Sequence, residues 1–294
     1  KRIKALVQKI GDNPRAGFNR IKSSIPKKKA EDIYELLPFD KALPYDTYQI
    51  IDCLVDQNST EEYKSDYGKT IITAYARIDG WAVGIVANQI KIVKNKKGEN
   101  QFGGVIYGDA ADKSARFIAN CNQRKIPLVF LQDVTGFMVG SKAEHNGIIK
   151  DGAKMVNAVA NSVVPKFTVV IGNSNGAGNY AMCGKAFDPR MTLSWPGSKI
   201  AVMGGEQAAK VLMQIEKSKL QKEGEKIDPK KEKKLLKEIK SRYDKQTRDY
   251  YAAARMWTDA IIDPIETRKW ISIGIEAANH SPIKRKFNMG ILQV

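Results

Sequence analysis

The chain has 294 residues, 43% hydrophobic and 28% charged, enough to bury a real core at the upper edge of what one core supports. Forty-nine Lys and Arg against thirty-two Asp and Glu give a net charge of +17, a field that attracts phosphates, carboxylates and acidic proteins. No apolar run approaches the roughly 18 residues of a membrane span, and Cys53, Cys121 and Cys183 are too scattered for a disulfide framework or a structural zinc site.

Residues 1–20 lack the charged, apolar, small-residue order of a secretory signal and begin without Met, so the chain reads as a piece of a longer polypeptide. Residues 1–44 are basic and proline-dotted, with Pro26-Lys27-Lys28-Lys29 between short helical stretches; this predicts a basic arm or interdomain linker with few core positions. From Tyr45 the texture turns α/β. Thr70 to Arg77 and Trp81 to Asn88 read as β-branched strands joined by a tight turn at Ile78-Asp79-Gly80. A helix is predicted over Ala110 to Arg124, then a doubly buried strand over Pro127 to Gln132 with the exit Asp133-Val134-Thr135-Gly136-Phe137-Met138-Val139-Gly140. A further helix, Ile149 to Ser162, precedes a strand over Val164 to Gly172 and a second glycine-rich exit, Asn173-Ser174-Asn175-Gly176-Ala177-Gly178-Asn179-Tyr180. After a strand at Met191 to Trp195, a third such turn, around Gly204-Gly205, leads into a helix.

Alternating strand, glycine-bearing turn and helix predict crossover units around a sheet, with functional atoms gathered at the turns. Glu216 to Tyr250, dense in Lys and Glu and restarted by Asp228-Pro229, predicts a projecting charged helical hairpin. Ala253 to Leu292 returns to a helical period and ends in a short strand-like segment.

Several chemistries fit these turns. Gly172-Asn-Ser-Asn-Gly176 matches G-x-S-x-G between a strand and a helix, and Ser174, Asp263 and His280 fall in the order of a hydrolase triad. Gly176-x-Gly178-x-x-Ala181 is compatible with a dinucleotide loop, but no acid follows at the ribose distance. The basic residues lie in mixed-sign helices without an aromatic-basic motif, which argues against nucleic acid as a partner. The fourth chemistry needs no side-chain acid or base, because backbone N–H groups at helix N-termini bind a developing oxyanion. His145 and His280 read as ordinary loop histidines.

Six segments carry a resemblance: Gln101-Phe-Gly-Gly-Val-Ile-Tyr107, Pro127 to Gly140, Gly147-Ile-Ile-Lys-Asp-Gly-Ala-Lys154, Gly176-Ala-Gly-Asn-Tyr-Ala-Met-Cys-Gly184, Val202-Met-Gly-Gly-Glu-Gln-Ala-Ala209, and Asp259 to Arg268. Together, from about Gly11 onward, they resemble the C-terminal half of the carboxyltransferase β subunit of biotin-dependent acyl-CoA carboxylases. The resemblance implies an α/β, crotonase-like domain over 45–294 with a helical insertion at about 216–250. It implies carboxyl transfer from carboxybiotin to the α-carbon of an acyl-CoA, with propionyl-CoA ahead of 3-methylcrotonyl-CoA, and a decarboxylase subunit of the same fold as the alternative.

By the same resemblance, the N–H groups of Ala177 and Gly178 form the biotin-side oxyanion hole, and Gly136, Phe137 and Gly176 shape the biotin pocket. Biotin on a carrier protein and acyl-CoA are the implied cofactor and substrate, with no metal in this chain. The implied partners are a biotin carboxylase, a biotin carrier subunit and an N-terminal carboxyltransferase domain. The implied assembly is a homo-oligomer built from dimers, up to a hexamer, in the cytoplasm or mitochondrial matrix. Thr135, where many relatives carry proline, and Asn175, where tyrosine is usual, depart from the family pattern.

Overall fold

A computed structural model describes residues 2–10, 14–38, 40, 43–222 and 229–290. The first elements are α1 (Arg2–Ile10), α2 (Asp32–Leu36) and α3 (Thr47–Leu54), followed by strands β1 (Glu61–Glu62), β2 (Ile71–Ile78) and β3 (Trp81–Asn88). The hairpin between β2 and β3 falls at the predicted place. Asp79 and Gly80 both have positive φ, 52° and 79°, the backbone that lets a two-residue turn follow the twist of its strands.

Short strands β4 (Val93–Lys94), β5 (Asn100–Gln101) and β6 (Val105–Ile106) lead to α4 (Gly108–Gln123), β7 (Leu128–Val134), β8 (Gly136–Phe137), α5 (Ser141–His145), α6 (Ile148–Asn161), β9 (Lys166–Asn175) and α7 (Gly176–Ala181). The chain continues through β10 (Met191–Ser194), β11 (Lys199–Ala201), α8 (Gly205–Lys222), α9 (Pro229–Gln246), α10 (Asp249–Ala253), β12 (Ala260–Ile261) and α11 (Thr267–Asn279).

The main sheet runs in the order β1-β2-β3-β7-β9-β10-β12, with β11 also beside β9. From β3 to β12 every pairing is parallel. Parallel strands need covered faces, and every residue of β7 is buried. One face packs on α3 and α11 through Ile50, Ile51, Ile271 and Ile275. The other packs on α4 and α6 through Phe117, Ile118, Met155 and Val159. Among the described residues no helix is long and apolar enough to cross a membrane.

The segment expected as an arm differs from that expectation over 14–37. Phe18 and Ile33 are buried in the core of the α3/α11 face. Gly17 and Phe18 donate backbone N–H groups to Asn279 Oδ1, and Arg20 stacks 4.7 Å from the Trp81 ring centre. Phe18 and Ile33, with Ala16, Leu36 and Leu37 packed beside them, draw this basic stretch into the body, because α3 and α11 leave a matching apolar floor.

The charged hairpin is present as α8 and α9, joined through a small cluster of Ala209, Met213 and Ile239. Its first helix starts at Gly205, before the expected position 216. The helix start at Asp228 lies outside the described residues, as does the end of the strand-like tail after residue 290; residues 281–290 contain no strand.

Lys113 on α4 is fully buried, and its ammonium has no hydrogen-bond partner among the described residues. Burial pushes its pKa down from 10.5 to about 8, against the pull of Glu62 and Asp109. Because the folded pKa lies below the unfolded one, this group's cost is full below about pH 8 and vanishes as pH rises through 10.5. Lys113→Met therefore stabilises the protein at pH 7 by roughly 2–3 kcal/mol. Thermal unfolding at pH 7 and pH 10.5 checks this, with the gain shrinking at the higher pH. Equal gains at both pH values would remove the electrostatic explanation.

Candidate active site

The chemistry-bearing turns lie at the C-terminal ends of β7 and β9, neighbouring strands of the sheet. Their pairing shifts register between Gln132 and Val134, just before the chain leaves β7. Thr135 donates its N–H and its hydroxyl to Gly104 O, and Gly136–Phe137 then pair with Val105–Ile106. Gly136 has φ +142°, and an added Cβ there would meet nothing within 4 Å, so the space before it is open. The Phe137 ring lies against Gly152 of α6, where a Cβ would come within 2.9 Å of it.

Strand β9 runs on to Asn175, longer than predicted, and α7 starts at the next residue. Gly176 has φ +50°, and a Cβ would sit 2.7 Å from Val202 O, so both conformation and space demand glycine. At Gly178 a Cβ would approach Val134 Cγ2 to 2.6 Å and Gly136 Cα to 3.2 Å. The start of α7 thus presses directly on the exit of β7. First-turn N–H groups of a helix have no intrahelical partner, and the Asn175 side chain does not cap them. Ala177 is exposed and Gly178 buried, so this turn faces outward over a closely packed base. The structure therefore brings Gly136, Phe137, Gly176, Ala177 and Gly178 into one region.

The hydrolase triad is corrected. Ser174 is fully buried inside β9, donating to Gln132 Oε1 and accepting from Asn179 Nδ2 at 2.7 Å. His280 lies 3.4 Å from Glu276 at the end of α11, and Asp263 accepts from Tyr34 and the Ile265 N–H. The three residues serve three separate local structures, and a G-x-S-x-G pattern does not reveal that its serine points inward. Gln132 Nε2 also donates to Met182 O, so Gln132, Ser174 and Asn179 form a polar ladder tying α7 to both strands.

Ser174→Ala leaves the buried Gln132 Oε1 and the half-buried Asn179 amide each short of a partner and costs about 1–3 kcal/mol in urea unfolding. A fluorophosphonate probe leaves Ser174 unlabelled; labelling there would restore the hydrolase reading.

The sequence reading missed Asp133. It is buried beside the same turns, accepting from Tyr45 Oη at 2.8 Å and from Asn173 N at 2.7 Å. Burial, then the Asp133 charge, raises the Tyr45 pKa well above its ordinary value. An acid next to Gln132 at the end of a buried strand was its only local signal. His145 is exposed on α5, whereas Asn175 is buried and paired in register with Ala201. All three thiols are buried and pushed up, Cys53 to about 11 and Cys121 and Cys183 to about 12, so none is a ready nucleophile at neutral pH. Among the described residues no group of three or more His, Cys, Asp or Glu gathers to hold a metal.

Residues 3–289 match the model of the carboxyl transferase domain. The chain belongs to that family. It is 42% identical over 281 residues to the biotin-dependent 3-methylcrotonyl-coenzyme A carboxylase beta1 subunit of Mycobacterium tuberculosis, covering 96% of this chain and 50% of that protein. It is 43% identical over 266 residues to the mitochondrial methylcrotonoyl-CoA carboxylase beta chain of Arabidopsis thaliana, covering 90% of this chain and 43% of that one.

Among solved structures, the geranyl-CoA carboxylase beta subunit of P. aeruginosa superposes with a TM-score of 0.78 at 34% identity, covering 97% of this chain and 52% of that one. The transcarboxylase 12S structure, described as a hexamer assembly, gives 0.77 at 32% identity and covers 95% and 50%. The chain therefore spans about half the length of these relatives. Its α/β architecture is the crotonase-like fold, as the resemblance implied.

Proposed function

We propose that this chain supplies the biotin-side half of a carboxyltransferase site, in which a carboxyl group passes from carboxybiotin to the carbon of an acyl-CoA that its thioester acidifies, the α-carbon of propionyl-CoA or the γ-methyl carbon of 3-methylcrotonyl-CoA, and the proton lost there passes to the decarboxylated ureido group. The observation that carries the reading is the contact between the β7 exit and the start of α7, whose first turn has no side-chain cap and lies beside open space at Gly136. Those features fit a ureido group: neutral donors for its oxygen, and room for a flat ring in front of a glycine. Carboxybiotin on a carrier protein supplies the carboxyl group as CO2. The N–H groups of Ala177 and Gly178 donate to the ureido oxygen as negative charge develops there, Gly136 and Phe137 wall the pocket, and Gly176 permits the turn. A well-aimed donor of this kind is worth about 3 kcal/mol in the transition state.

The relatives weight the substrate toward a branched, unsaturated acyl-CoA. A 3-methylcrotonyl-CoA carboxylase subunit is 42% identical over 281 residues, whereas a methylmalonyl-CoA carboxyltransferase 12S subunit from Propionibacterium freudenreichii is 36% identical over 245. We therefore place 3-methylcrotonyl-CoA ahead of propionyl-CoA, reversing the order expected from the motifs. The full enzyme would combine this chain with an N-terminal carboxyltransferase half, a biotin carrier and a biotin carboxylase, as a homo-oligomer in the cytoplasm or mitochondrial matrix.

The test is carboxylation of both thioesters by the native assembly. A higher kcat/KM for 3-methylcrotonyl-CoA supports the reading, and a preference for propionyl-CoA restores the earlier order. No biotin-dependent carboxylation of any acyl-CoA, with decarboxylation instead, would favour the activity named for the 35% identical methylmalonyl-CoA decarboxylase subunit of Veillonella parvula.

A further inference from the structure

At the other end of β9 from the turns described above lies a cavity of about 230 Å³ that the carboxyl-transfer reading does not use. It opens between the connection from α6 into β9, the approach to β10 and the segment after α11. Lys166, the first residue of β9, is 6% exposed; its ammonium lies 3.4 Å from Val159 O and from Ser162 O at the C-terminal end of α6. Arg190, Lys284 and Arg285 join it in the lining, with Asp188 as the single carboxylate. Four cations thus face one acid. Among the described residues no ion pair engages Arg190, Lys284 or Arg285.

Like charges gathered around one cavity repel unless an anion joins them. Burial lowers the pKa of Lys166 against the opposing pull of Cys183 and Asp188, and the charges of Arg190 and Arg285 add a smaller push in the same direction as burial. The cavity far exceeds the ~30 Å³ share of one water, and guanidinium groups suit the oxygens of a phosphoryl group in shape and charge.

We propose that this cavity binds a phosphate group, carried by a nucleotide or free as inorganic phosphate or pyrophosphate. Strand β9 has 10 residues, so the cavity and the start of α7 stand about 30 Å apart at ~3.3 Å per residue. No residue is shared between the two sites, so failure of either proposal leaves the other standing.

The test is calorimetric titration of the native assembly containing this chain with inorganic phosphate, pyrophosphate and adenosine 3′,5′-bisphosphate, with chloride holding ionic strength constant. At least one of these ligands is expected to bind once per chain. Its Kd should rise about tenfold or more in Arg190→Gln/Arg285→Gln and fall in Asp188→Asn. All three residues are exposed, so the variants keep the fold, and unchanged thermal unfolding verifies it. Tighter binding of the nucleotide than of pyrophosphate assigns the nucleotide as source; the reverse order assigns free phosphate. Heat no greater than that from chloride, or binding unaltered in the arginine double variant, overturns the proposal.

Discussion

Ala177→Pro lowers kcat for carboxyl transfer by the native assembly by about 10²- to 10³-fold, while the folded protein persists. Proline deletes one N–H and changes little else at this position. Residue 177 is in the first turn of α7, where that N–H has no intrahelical partner and a proline ring meets no preceding turn. It is also exposed and already carries a Cβ. The same deletion at Gly178 is less clean, because any added Cβ there meets Val134 at 2.6 Å. Ala177→Val, which keeps the N–H, is the control and holds kcat within a few-fold. If folded Ala177→Pro turned over at the parent rate, the α7 N–H groups would have no part in the chemistry.

Asp56→Ala costs about 3–5 kcal/mol in urea unfolding. Asp56 is 2% exposed and accepts from Arg268 at 2.6 Å, from the backbone N–H groups of Asp79 and Gly80 at 3.0 Å each, and from Ser24 N at 3.3 Å. It therefore ties together the early basic segment, the β2–β3 turn and the start of α11. Alanine leaves a guanidinium and several N–H groups without their acceptor in a site too enclosed for full hydration. Arg268 keeps Leu54 O at 2.7 Å and Ser24 O at 2.9 Å, which offsets only part of the loss. In a double-mutant cycle, Asp56→Ala/Arg268→Met loses less than the sum of the single variants, with a coupling of about 1–3 kcal/mol. A loss below about 1 kcal/mol for Asp56→Ala would mean that water replaces the carboxylate and that the cluster is not a keystone of the fold.

Which parts of this protein were legible before the structure follows from the range of the forces involved. The β2–β3 hairpin, the α4 and α6 helices and the hairpin of α8 and α9 were readable because turn chemistry and apolar periodicity act over a few residues. The helix after Gly204-Gly205 was readable as well, but it and the charged hairpin were read apart, because the Lys/Glu density that marked the hairpin begins farther on, inside α8. Gly136 and Gly178 were singled out as turn glycines, but that each approaches the other follows only from β7 and β9 being neighbours.

The polar residues show the same division more sharply. Ser174 presents the same local pattern whether it points outward as a nucleophile or inward as a strut, and the ladder from Gln132 to Asn179 decides for the strut. Asp133 carried almost no local signal, because its partners, Tyr45 and Asn173, come from distant points in the chain. The basic stretch around Phe18 and Ile33 was read by its charge, yet the apolar floor of α3 and α11 draws it into the core.

By itself, then, the amino-acid order determined the α/β alternation, the glycine turns and the motifs of the carboxyl transferase family, all written in local periodicity and contiguous residues. Only the tertiary structure decided which polar groups are buried struts, which glycines touch, and that Lys166, Arg190, Lys284 and Arg285 surround one cavity. Burial and electrostatic crowding are properties of groups far apart in the chain, and they take their values when the fold brings those groups together.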